Sequence, residues 1–324
     1  MSPLRLGTRG SALALAQARW VASRLGGSVE IVEVTTAGDL DRARGDKSRW
    51  TGALESALLA GEIDIAVHSA KDVPGELASG TEIVAVPTRE DPRDVVVGEL
   101  RPGARVGTSS LRRRAQLLAV RPDVEVVELR GNVDTRLRKL AAGEVDALVL
   151  AAAGLARLGR SDVVAVPLEG DVFVPAAGQG FLLVQGRAGT NFGFEDGSGR
   201  GAGSSAAAGG GAGSSAAAGG GAGSSAAAGG GSGSSAAAGL SFAAVDDPSS
   251  RARLAAERAV VARLNASCHT PVGVHSNGSL IAAFVGLPDG SEWLIDEAGD
   301  ADSLAERMLS AGAADLLARA ERVA

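Results

Sequence analysis

Four polar side chains that could carry acid–base chemistry follow one short, mostly apolar run of the sequence. The run Ile63–Val67 continues directly into His68, Ser69, Lys71 and Asp72. A buried strand that ends in such residues delivers them to the rim of a cleft, where a carboxylate among cations can stabilise a substrate cation or move protons. The alternative is a helix-capping aspartate that pairs with the neighbouring lysine, and the pattern alone leaves both interpretations open.

Basic residues are concentrated in one part of the chain. Between Arg101 and Leu140 there are ten Lys and Arg residues and four Asp and Glu, although the formal net charge of the whole chain is −6. The arginines expected where strands meet helices are Arg9, Arg112, Arg113, Arg130 and Arg136. Helix N-termini offer free N–H groups, Ser110 offers a hydroxyl and arginine a planar fork, so the pattern favours a cleft for a small polyanion. Because successive helical residues point about 100° apart, we expect Arg114 to face outward. The alternative is a solvated basic face with serine helix caps.

Cys268 is the only thiol of the chain, so no internal disulfide can form. It follows a predicted helix, in a loop that contains Pro271 and Gly273. A lone cysteine is more often a small buried apolar residue. The alternative is a nucleophile or a covalent attachment point, which needs an accessible thiolate near positive charge. The adjacent His269 does not indicate a hydrolase, since neighbouring side chains rarely face each other.

Lys47 and Trp50 belong to a predicted loop that precedes the helical pattern Thr51–Leu59. A mobile loop with a cation and an aromatic ring could close over a ligand and stack on a flat ring. The alternative is an ordinary exposed loop whose tryptophan packs against the helix that follows.

An internal repetition indicates the elements that must position these residues. The segment Leu4–Ser11 leads into a predicted helix Ala12–Leu25, and Ala104–Ser110 leads into a predicted helix Leu111–Val120. The strings GEIDIAVHSAKD and GEVDALVLAAAG repeat in the same way. Both pairs predict alternating strands and helices, hence two similar α/β lobes with a ligand cleft between them.

The expected domains are an α/β lobe over 1–95 with a crossover strand near 180–188, a second α/β lobe over 100–178, a linker over 190–240 and a C-terminal domain over 241–324. Gly178-Gln179-Gly180 lacks the context of a phosphate loop and is interpreted as a tight crossover between the lobes. The residues from Gly197 to Gly239 are Gly, Ala and Ser with a single Arg, which predicts a flexible linker.

The C-terminal block predicts a small α+β domain. A helix is expected from Pro248 to about Asn265, followed by a loop. Two strands are expected at Ser279–Gly286 and Ser291–Asp296, joined by a Leu-Pro-Asp-Gly turn, and a helix from Asp302 to the end.

Composition excludes several classes of protein. Of the 324 residues, 45% are hydrophobic and 22% are charged, which allows a buried core. An acidic chain is a poor non-specific binder of nucleic acid, and three His, two Met and one Cys disfavour a metal site. The sequence shows neither a membrane-spanning apolar run nor an export signal at its start, so we expect a cytoplasmic protein with no membrane partner.

Ten strings, in a fixed order, together resemble the porphobilinogen deaminase (hydroxymethylbilane synthase) family. They are GTRGSALALAQA, TTAGD, GEIDIAVHSAKDVP, REDPRD, VGTSSLRRRAQL, LRGNVDTRL, LAAAGLARLG, PAAGQG, AERAV and CHTPVG. The resemblance implies two periplasmic-binding-protein-like α/β lobes plus a small C-terminal α+β domain. It also implies a monomeric cytoplasmic transferase of tetrapyrrole and heme biosynthesis that condenses four porphobilinogen molecules into hydroxymethylbilane, with release of ammonia, on a covalent dipyrromethane primer.

The resemblance also implies roles for individual residues of this chain. The cofactor would be attached through a thioether to Cys268, and Asp72 would be the catalytic carboxylate. The implied cofactor-binding residues are Lys71, Ser110, Arg113, Arg130 and Arg136. The implied substrate-binding residues are Arg9, Ser69, Arg112, Arg157, Lys47 and Trp50.

The sequence departs from the family pattern at four places. The active-site loop, which in the family reads like GGKGLFTKELE, is shorter here and lacks the glycines before Lys47. Ser267 stands where glycine is usual, Phe181 where a small residue is usual, and the Gly/Ala/Ser insert where a short helix is usual. A catalytically impaired homologue is therefore one alternative function, and the two-lobed architecture is also that of the second alternative, a non-catalytic protein that binds a small anion.

Overall fold

The structure is a computed structural model that describes residues 2–36, 48–190, 192, 240–267 and 270–323. Lys47, Cys268 and the predicted linker Gly197–Gly239 lie outside the described residues. The strands and helices are, in chain order, β1 (Leu4–Thr8), α1 (Ala12–Leu25), β2 (Val29–Glu33), α2 (Ser48–Leu59), β3 (Ile65–Ser69), β4 (Thr81–Ala85), β5 (Asp94–Gly98), β6 (Arg105–Gly107), α3 (Leu111–Val120), β7 (Glu125–Val127), α4 (Val133–Ala141), β8 (Ala147–Ala151), α5 (Ala152–Arg157), β9 (Ala165–Pro167), β10 (Leu182–Arg187), α6 (Pro248–Arg263), β11 (Val272–Ser276), β12 (Ile281–Gly286), β13 (Trp293–Ala298), α7 (Ala301–Ser310) and α8 (Ala313–Val323).

The first two sheets share one topology. The first has the strand order β2-β1-β3-β10-β4 and the second β7-β6-β8-β5-β9. In the first sheet β1 runs parallel to β2 and β3, whereas β10 is antiparallel to its neighbours. In the second sheet β6 runs parallel to β7 and β8, whereas β5 is antiparallel to its neighbours. The repetition in the sequence is therefore a repetition of fold.

The antiparallel strand of the first lobe comes from a distant part of the chain, whereas that of the second lobe directly precedes the other strands of its sheet. Strand β10 follows the second lobe in sequence but lies in the first sheet, and β5 follows the first lobe but lies in the second sheet. The chain therefore passes between the lobes twice, through residues 86–93 and 168–181. These two crossover segments run side by side, because Glu90 N donates to Gly180 O at 3.1 Å.

Side-chain caps begin the helices that face the cleft. The Ser11 hydroxyl accepts from Ala14 N at 3.3 Å at the start of α1, and the Ser110 hydroxyl accepts from Arg113 N at 3.4 Å at the start of α3. Such caps satisfy N–H groups that have no partner inside the helix. The predicted helices Ala12–Leu25 and Leu111–Val120 are confirmed.

Alternating and periodic apolar residues form a separate core in each lobe. In the first lobe Leu6, Ile65 and Val184 from the sheet pack with Val21 of α1. The second lobe has a layer on each face of its sheet, one with Val95, Val97, Leu148 and Leu150 and the other with Val96, Val106, Leu117 and Val149. Burying both faces explains why these strands are continuous apolar runs.

The third domain packs α6, α7 and α8 on an antiparallel sheet with the order β11-β12-β13. Strands β12 and β13 confirm the two predicted strands, and Gly290 (φ 73°) closes the predicted turn. Strand β11 was not predicted, because Pro271 and Gly273 indicate a loop. Glycine is needed in this strand, since a Cβ on Gly273 would lie 2.5 Å from Val174 O of a crossover segment.

The predicted C-terminal helix is two helices, α7 and α8. Gly312 lies between them with a φ of 101°, a backbone conformation that residues with a side chain rarely adopt. The two helices pack on the same side of the third sheet as parts of one core that includes Met308 and Leu317. The predicted α/β fold class, two similar lobes plus a small α+β domain, is confirmed. Among the residues described, no helix has both the length and the apolar character that a membrane crossing requires.

Candidate active site

A cavity of about 1590 Å³ lies where the two lobes and the third domain meet. Its lysine and arginine lining residues are Lys71, Arg112, Arg113, Arg114, Arg130, Arg136, Arg258, Arg319 and Arg322. Its carboxylate lining residues are Asp72, Glu128 and Asp289. Nine cations against three carboxylates give the cavity a positive field, which favours a ligand with several negative charges.

The first lobe places a lysine and an aspartate at the cavity. Strand β3 lies in the middle of the first sheet and ends in a single 3₁₀ turn, Ala70–Asp72, so that Lys71 and Asp72 leave the sheet at the cleft. The Lys71 ammonium donates to Gln179 Oε1 at 3.3 Å. Burial, together with the nearby Arg113 charge, lowers the pKa of Lys71 to about 8.

A second, smaller pocket of about 60 Å³ adjoins the first at Asp72 and Trp50, which line both. It also includes Arg9, Ser69 and His68. The Arg9 guanidinium lies over the Trp50 ring, 4.0 Å from the ring centre. Burial lowers the pKa of His68 to about 4, so this imidazole is neutral at pH 7. The pocket therefore combines one fixed cation, one carboxylate and a flat aromatic surface.

Trp50 is not in a loop, contrary to our expectation. It lies in the first turn of α2, which begins at Ser48 rather than at Thr51. None of the residues 48–50 disfavours a helix strongly, so the helix extends by one turn towards its N-terminus. A helix holds the tryptophan more rigidly than a loop would.

The second lobe places a buried charge cluster behind the cavity wall. Arg112 Nη1 donates to Asp94 Oδ2 at 2.7 Å, to Gln116 Oε1 at 2.8 Å and to Val174 O at 2.9 Å. Arg113 Nε donates to Asp94 Oδ1 at 2.9 Å. Burial alone would raise the pKa of Asp94, but the two guanidinium charges outweigh it and hold the pKa well below its usual range.

Helix α4 and the turn before it add further arginines. Arg136 Nε donates to Gly131 O at 2.9 Å, and its Nη2 donates to Ser109 Oγ at 3.3 Å. Burial, with a smaller contribution from Arg113, lowers the pKa of Arg136 to about 10, and the group stays charged. Arg130 lies at the cavity rim and pairs with Glu128 at 2.7 Å.

The structure brings together most of the predicted residues, in one or other of the two pockets. Arg157 is not among the described lining residues of either pocket, and its Nη2 donates to Gly180 O at 2.6 Å. Arg114 is exposed, as expected, although it also borders the cavity. Lys47 and Cys268 lie outside the described residues.

Three site residues were missed by the sequence reasoning. Asp94 and Gln179 are buried between the arginines, and Arg258 of α6 lines the cavity while donating to Gly75 O at 2.6 Å. Asp94 ends the REDPRD string, and Gln179 was interpreted only as part of a crossover. An aspartate at the start of the apolar strand Asp94–Gly98 is a buried charge that needs a partner, and this signal was available.

Two departures from the family pattern cause no backbone conflict. Outside glycine, Asn265 alone among the described residues has a positive φ, of 50°, so Ser267 adopts a conformation open to any residue. Phe181 is fully buried, and the Arg89 guanidinium lies over its ring at 4.2 Å.

The fold and the cavity define a class: a two-lobed α/β protein with a third domain and a cationic cleft between them, a cleft that favours a ligand with several negative charges. Comparison with known proteins narrows the class. Residues 4–192 match the family model of the dipyrromethane cofactor-binding domain of porphobilinogen deaminase, and residues 252–310 match the model of its C-terminal domain. The chain belongs to the porphobilinogen deaminase family, whose members are transferases of tetrapyrrole biosynthesis.

Curated relatives agree with this assignment along nearly the whole chain. The porphobilinogen deaminase of Roseiflexus castenholzii is 40% identical over 97% of this chain and 98% of its own length. That of Trichlorobacter lovleyi is 38% identical over 97% and 95%. Among solved structures, a periplasmic binding protein from Brucella ovis matches 58% of this chain and 63% of its own, at 14% identity and a TM-score of 0.35. The family assignment rests on the first two relatives and on the domain matches.

Proposed function

We propose that this chain is a working hydroxymethylbilane synthase, which joins four porphobilinogen molecules head to tail and releases ammonia at each addition. The observation that carries the proposal is the cavity that is lined by nine cations and by Asp72. Every pyrrole unit carries an acetate and a propionate, so a growing chain accumulates carboxylates. The proposal therefore explains a strongly cationic cleft on an acidic protein.

The residues present fit a dipyrromethane cofactor. Within the described residues, Lys71 and Arg136 line the cavity yet donate only to neutral oxygens of Gln179, Gly131 and Ser109. A buried cation without a carboxylate partner is costly unless a ligand supplies the negative charge. We propose that these two residues, with Arg113, Arg130 and Ser110, hold the carboxylates of the cofactor. When bound, the cofactor supplies a terminal pyrrole to which the next unit is added.

Asp72 is the proposed catalytic residue. Asp72 lines both the large cavity and the small pocket, so it lies at their junction. A pyrrole in the small pocket would meet the terminal pyrrole of the cofactor in the large cavity at this point. Loss of ammonia leaves an electron-poor pyrrole, and positive charge develops near its nitrogen. A carboxylate at this point stabilises that charge and can exchange a proton with the ring.

The small pocket is the proposed entry site for porphobilinogen. Arg9 supplies a guanidinium for a substrate carboxylate, Ser69 a hydroxyl and Trp50 a flat face. Arg112 and Arg157, also proposed as substrate contacts, already donate to protein oxygens, so we propose that they act mainly through their charge. The remaining proposed substrate contact is Lys47, outside the described residues.

Cys268 is the proposed attachment point of the cofactor. The described residues on either side of it, Ser267 and Thr270, line the large cavity. A thioether at Cys268 would therefore start from a chain segment that borders the cationic cleft. We further propose that the enzyme acts as a cytoplasmic monomer, as the family resemblance implies. Light scattering during gel filtration tests that proposal, which predicts the mass of a single chain.

Intact-mass analysis tests the proposed function. After exposure to porphobilinogen, we expect wild type to carry the added mass of two linked pyrrole units and Cys268→Ser to carry none. Ser267→Ala is the matched control, because it changes the adjacent residue and leaves the thiol, so it should be loaded like wild type. An unmodified wild type would contradict the proposal.

A further inference from the structure

Gln179 lies at the point where the two lobes and the two crossover segments meet. Its neighbours Gly178 and Gly180 have φ values of 78° and 88°, and only 1% of Gln179 is exposed. A Cβ on Gly178 would lie 2.8 Å from Lys71 N, and one on Gly180 would lie 2.4 Å from Glu90 O. The backbone around Gln179 is therefore closely packed between the turn that carries Lys71 and the first crossover segment. This packing constrains the orientation of the Gln179 side chain.

The amide of Gln179 uses its nitrogen and its oxygen for two different tasks. Its Nε2 donates to Pro92 O at 2.6 Å and to Asp94 Oδ1 at 2.9 Å. Its Oε1 accepts from Lys71 Nζ at 3.3 Å and from Arg113 Nη2 at 3.5 Å. The amide suits both tasks, because an ionised carboxylate at this position could not donate to Asp94 and an alkyl group could neither donate nor accept.

These contacts join residues from different parts of the fold. Lys71 follows β3 of the first lobe, whereas Asp94 begins β5 and Arg113 lies in α3, both in the second lobe. Within the described residues, no carboxylate lies within ion-pair distance of the Lys71 ammonium. Gln179 Oε1 is the hydrogen-bond acceptor that the structure shows for it.

We infer that Gln179 is a positioning residue, whose amide oxygen holds the Lys71 ammonium of the first lobe beside the Arg113–Asp94 pair of the second. Lys71 and Arg113 then face one anionic group together although they belong to separate lobes. The inference rests on the proposed function only in naming that group as a carboxylate of the cofactor. The contacts themselves are a property of the chain.

The titration of Lys71 reports on this contact. Besides burial, which has the largest effect, Arg113 and Arg112 lower the pKa of Lys71, whereas Asp72 and Asp94 raise it. A hydrogen bond to the charged form of an amine favours that form. Loss of the Gln179 oxygen should therefore lower the pKa of Lys71 further, and a carboxylate at the same position should raise it.

Competitive labelling measures this titration directly, because the chain has only three lysines, Lys47, Lys71 and Lys139. Porphobilinogen-treated enzyme is labelled with trace isotopic acetic anhydride across the pH range, and each lysine is followed by peptide mass spectrometry. In Gln179→Leu we expect the Lys71 midpoint to fall by about one pH unit, and in Gln179→Glu to rise by a similar amount. Lys139, which is partly exposed and pairs with Glu144 at 3.6 Å, serves as the internal standard.

Gln185→Leu is the matched control. Gln185 is also a fully buried glutamine, but it donates to Glu55 and Thr81, away from Lys71. We expect this variant to lose stability without moving the Lys71 midpoint. A Lys71 midpoint that is equal in wild type and in a folded Gln179→Leu would overturn the inference.

Two further outcomes keep the test decisive. If Gln179→Leu does not fold, Gln179→Glu decides: a raised Lys71 midpoint supports the inference, and an unchanged one overturns it. The mass of each sample is measured in parallel. Wild type without the dipyrrole mass would contradict the proposed function, yet the comparison of Lys71 midpoints would still decide the role of Gln179.

Discussion

The two lobes have the same sheet order but end their equivalent strands in opposite ways. Strand β3 of the first lobe ends in a turn that carries Lys71 and Asp72 to the cavity. Strand β8 of the second lobe, its counterpart in the repeated sequence, continues into the apolar start of α5, with Ala153 and Gly154 at the matching positions. One backbone arrangement thus delivers a carboxylate in one lobe and only small residues in the other.

The helix that follows the first parallel strand of each lobe shows the reverse difference. Helix α1 of the first lobe starts with Ala12 and Leu13, whereas α3 of the second lobe carries Arg112 and Arg113 in its first turn. The two lobes face each other across the cleft and are chemically complementary. The first lobe presents charged residues after the end of β3, whereas the second lobe presents arginines at the start of α3. The duplicated fold therefore places Lys71 and the proposed catalytic carboxylate Asp72 on one wall of the cleft and Arg112 and Arg113 on the other.

The largest expected effect is on the carboxylate of the first lobe. Asp72→Ala should lower kcat about 1000-fold, as expected when an acid–base group is lost, while the cofactor mass stays on the protein. Steady-state assays of hydroxymethylbilane formation measure this loss. Asp289→Ala is the control, since it removes a carboxylate from the same cavity on the third domain and should keep most of the activity. Near-normal turnover by Asp72→Ala would refute the role given to that residue.

The second-largest expected effect is a loss of stability when the buried Asp94 carboxylate of the second lobe is removed. Asp94→Asn leaves the buried Arg112 and Arg113 without a countercharge, so the free energy of unfolding should fall by about 3 kcal/mol. Urea titration measures this change. The matched control is Asp91→Asn, which removes a carboxylate three residues before Asp94. It breaks only a partly exposed ion pair with Arg93, so the free energy of unfolding should fall by less than about 1 kcal/mol. Equal decreases in the free energy of unfolding in the two variants would show that the buried ion pairs of Asp94 stabilise the protein no more than the partly exposed pair of Asp91 does.

The smallest effect is a pH dependence that belongs to the first lobe. His68 has a folded-state pKa of about 4, below its ordinary value, so the unfolded chain binds a proton first as the pH falls. Its contribution to stability is therefore complete above the ordinary histidine pKa and is lost towards pH 4. Between pH 7 and pH 5 the free energy of unfolding should drop by about 2 kcal/mol more in wild type than in His68→Leu.

Leucine is the residue at the matching position of the second lobe, Leu150, so the substitution copies one lobe into the other. Urea titrations at the two pH values give the comparison. Parallel losses in wild type and variant would mean that His68 titrates normally in the folded protein.

Local patterns predicted much of the fold because they depend on neighbouring residues. The bounds of α1 and α3 follow from serine caps and apolar periodicity, and the repeated strings predicted two lobes of one design. The prediction was wrong at two places. Strand β11 was not predicted because Pro271 and Gly273 indicated a loop, and the start of α2 at Ser48 was not predicted because no local signal distinguishes it.

By itself the sequence determined the family, the two-lobed architecture and the residue types that reach the cleft. Only the tertiary structure decided how the cations are used, for instance that Arg112 is bound by Asp94 and that Lys71 is held by Gln179. Lys71 and Gln179 are 108 positions apart in the chain, and the chain crosses between the lobes twice before they meet. Contacts of this kind depend on how whole lobes pack, which no local periodicity records.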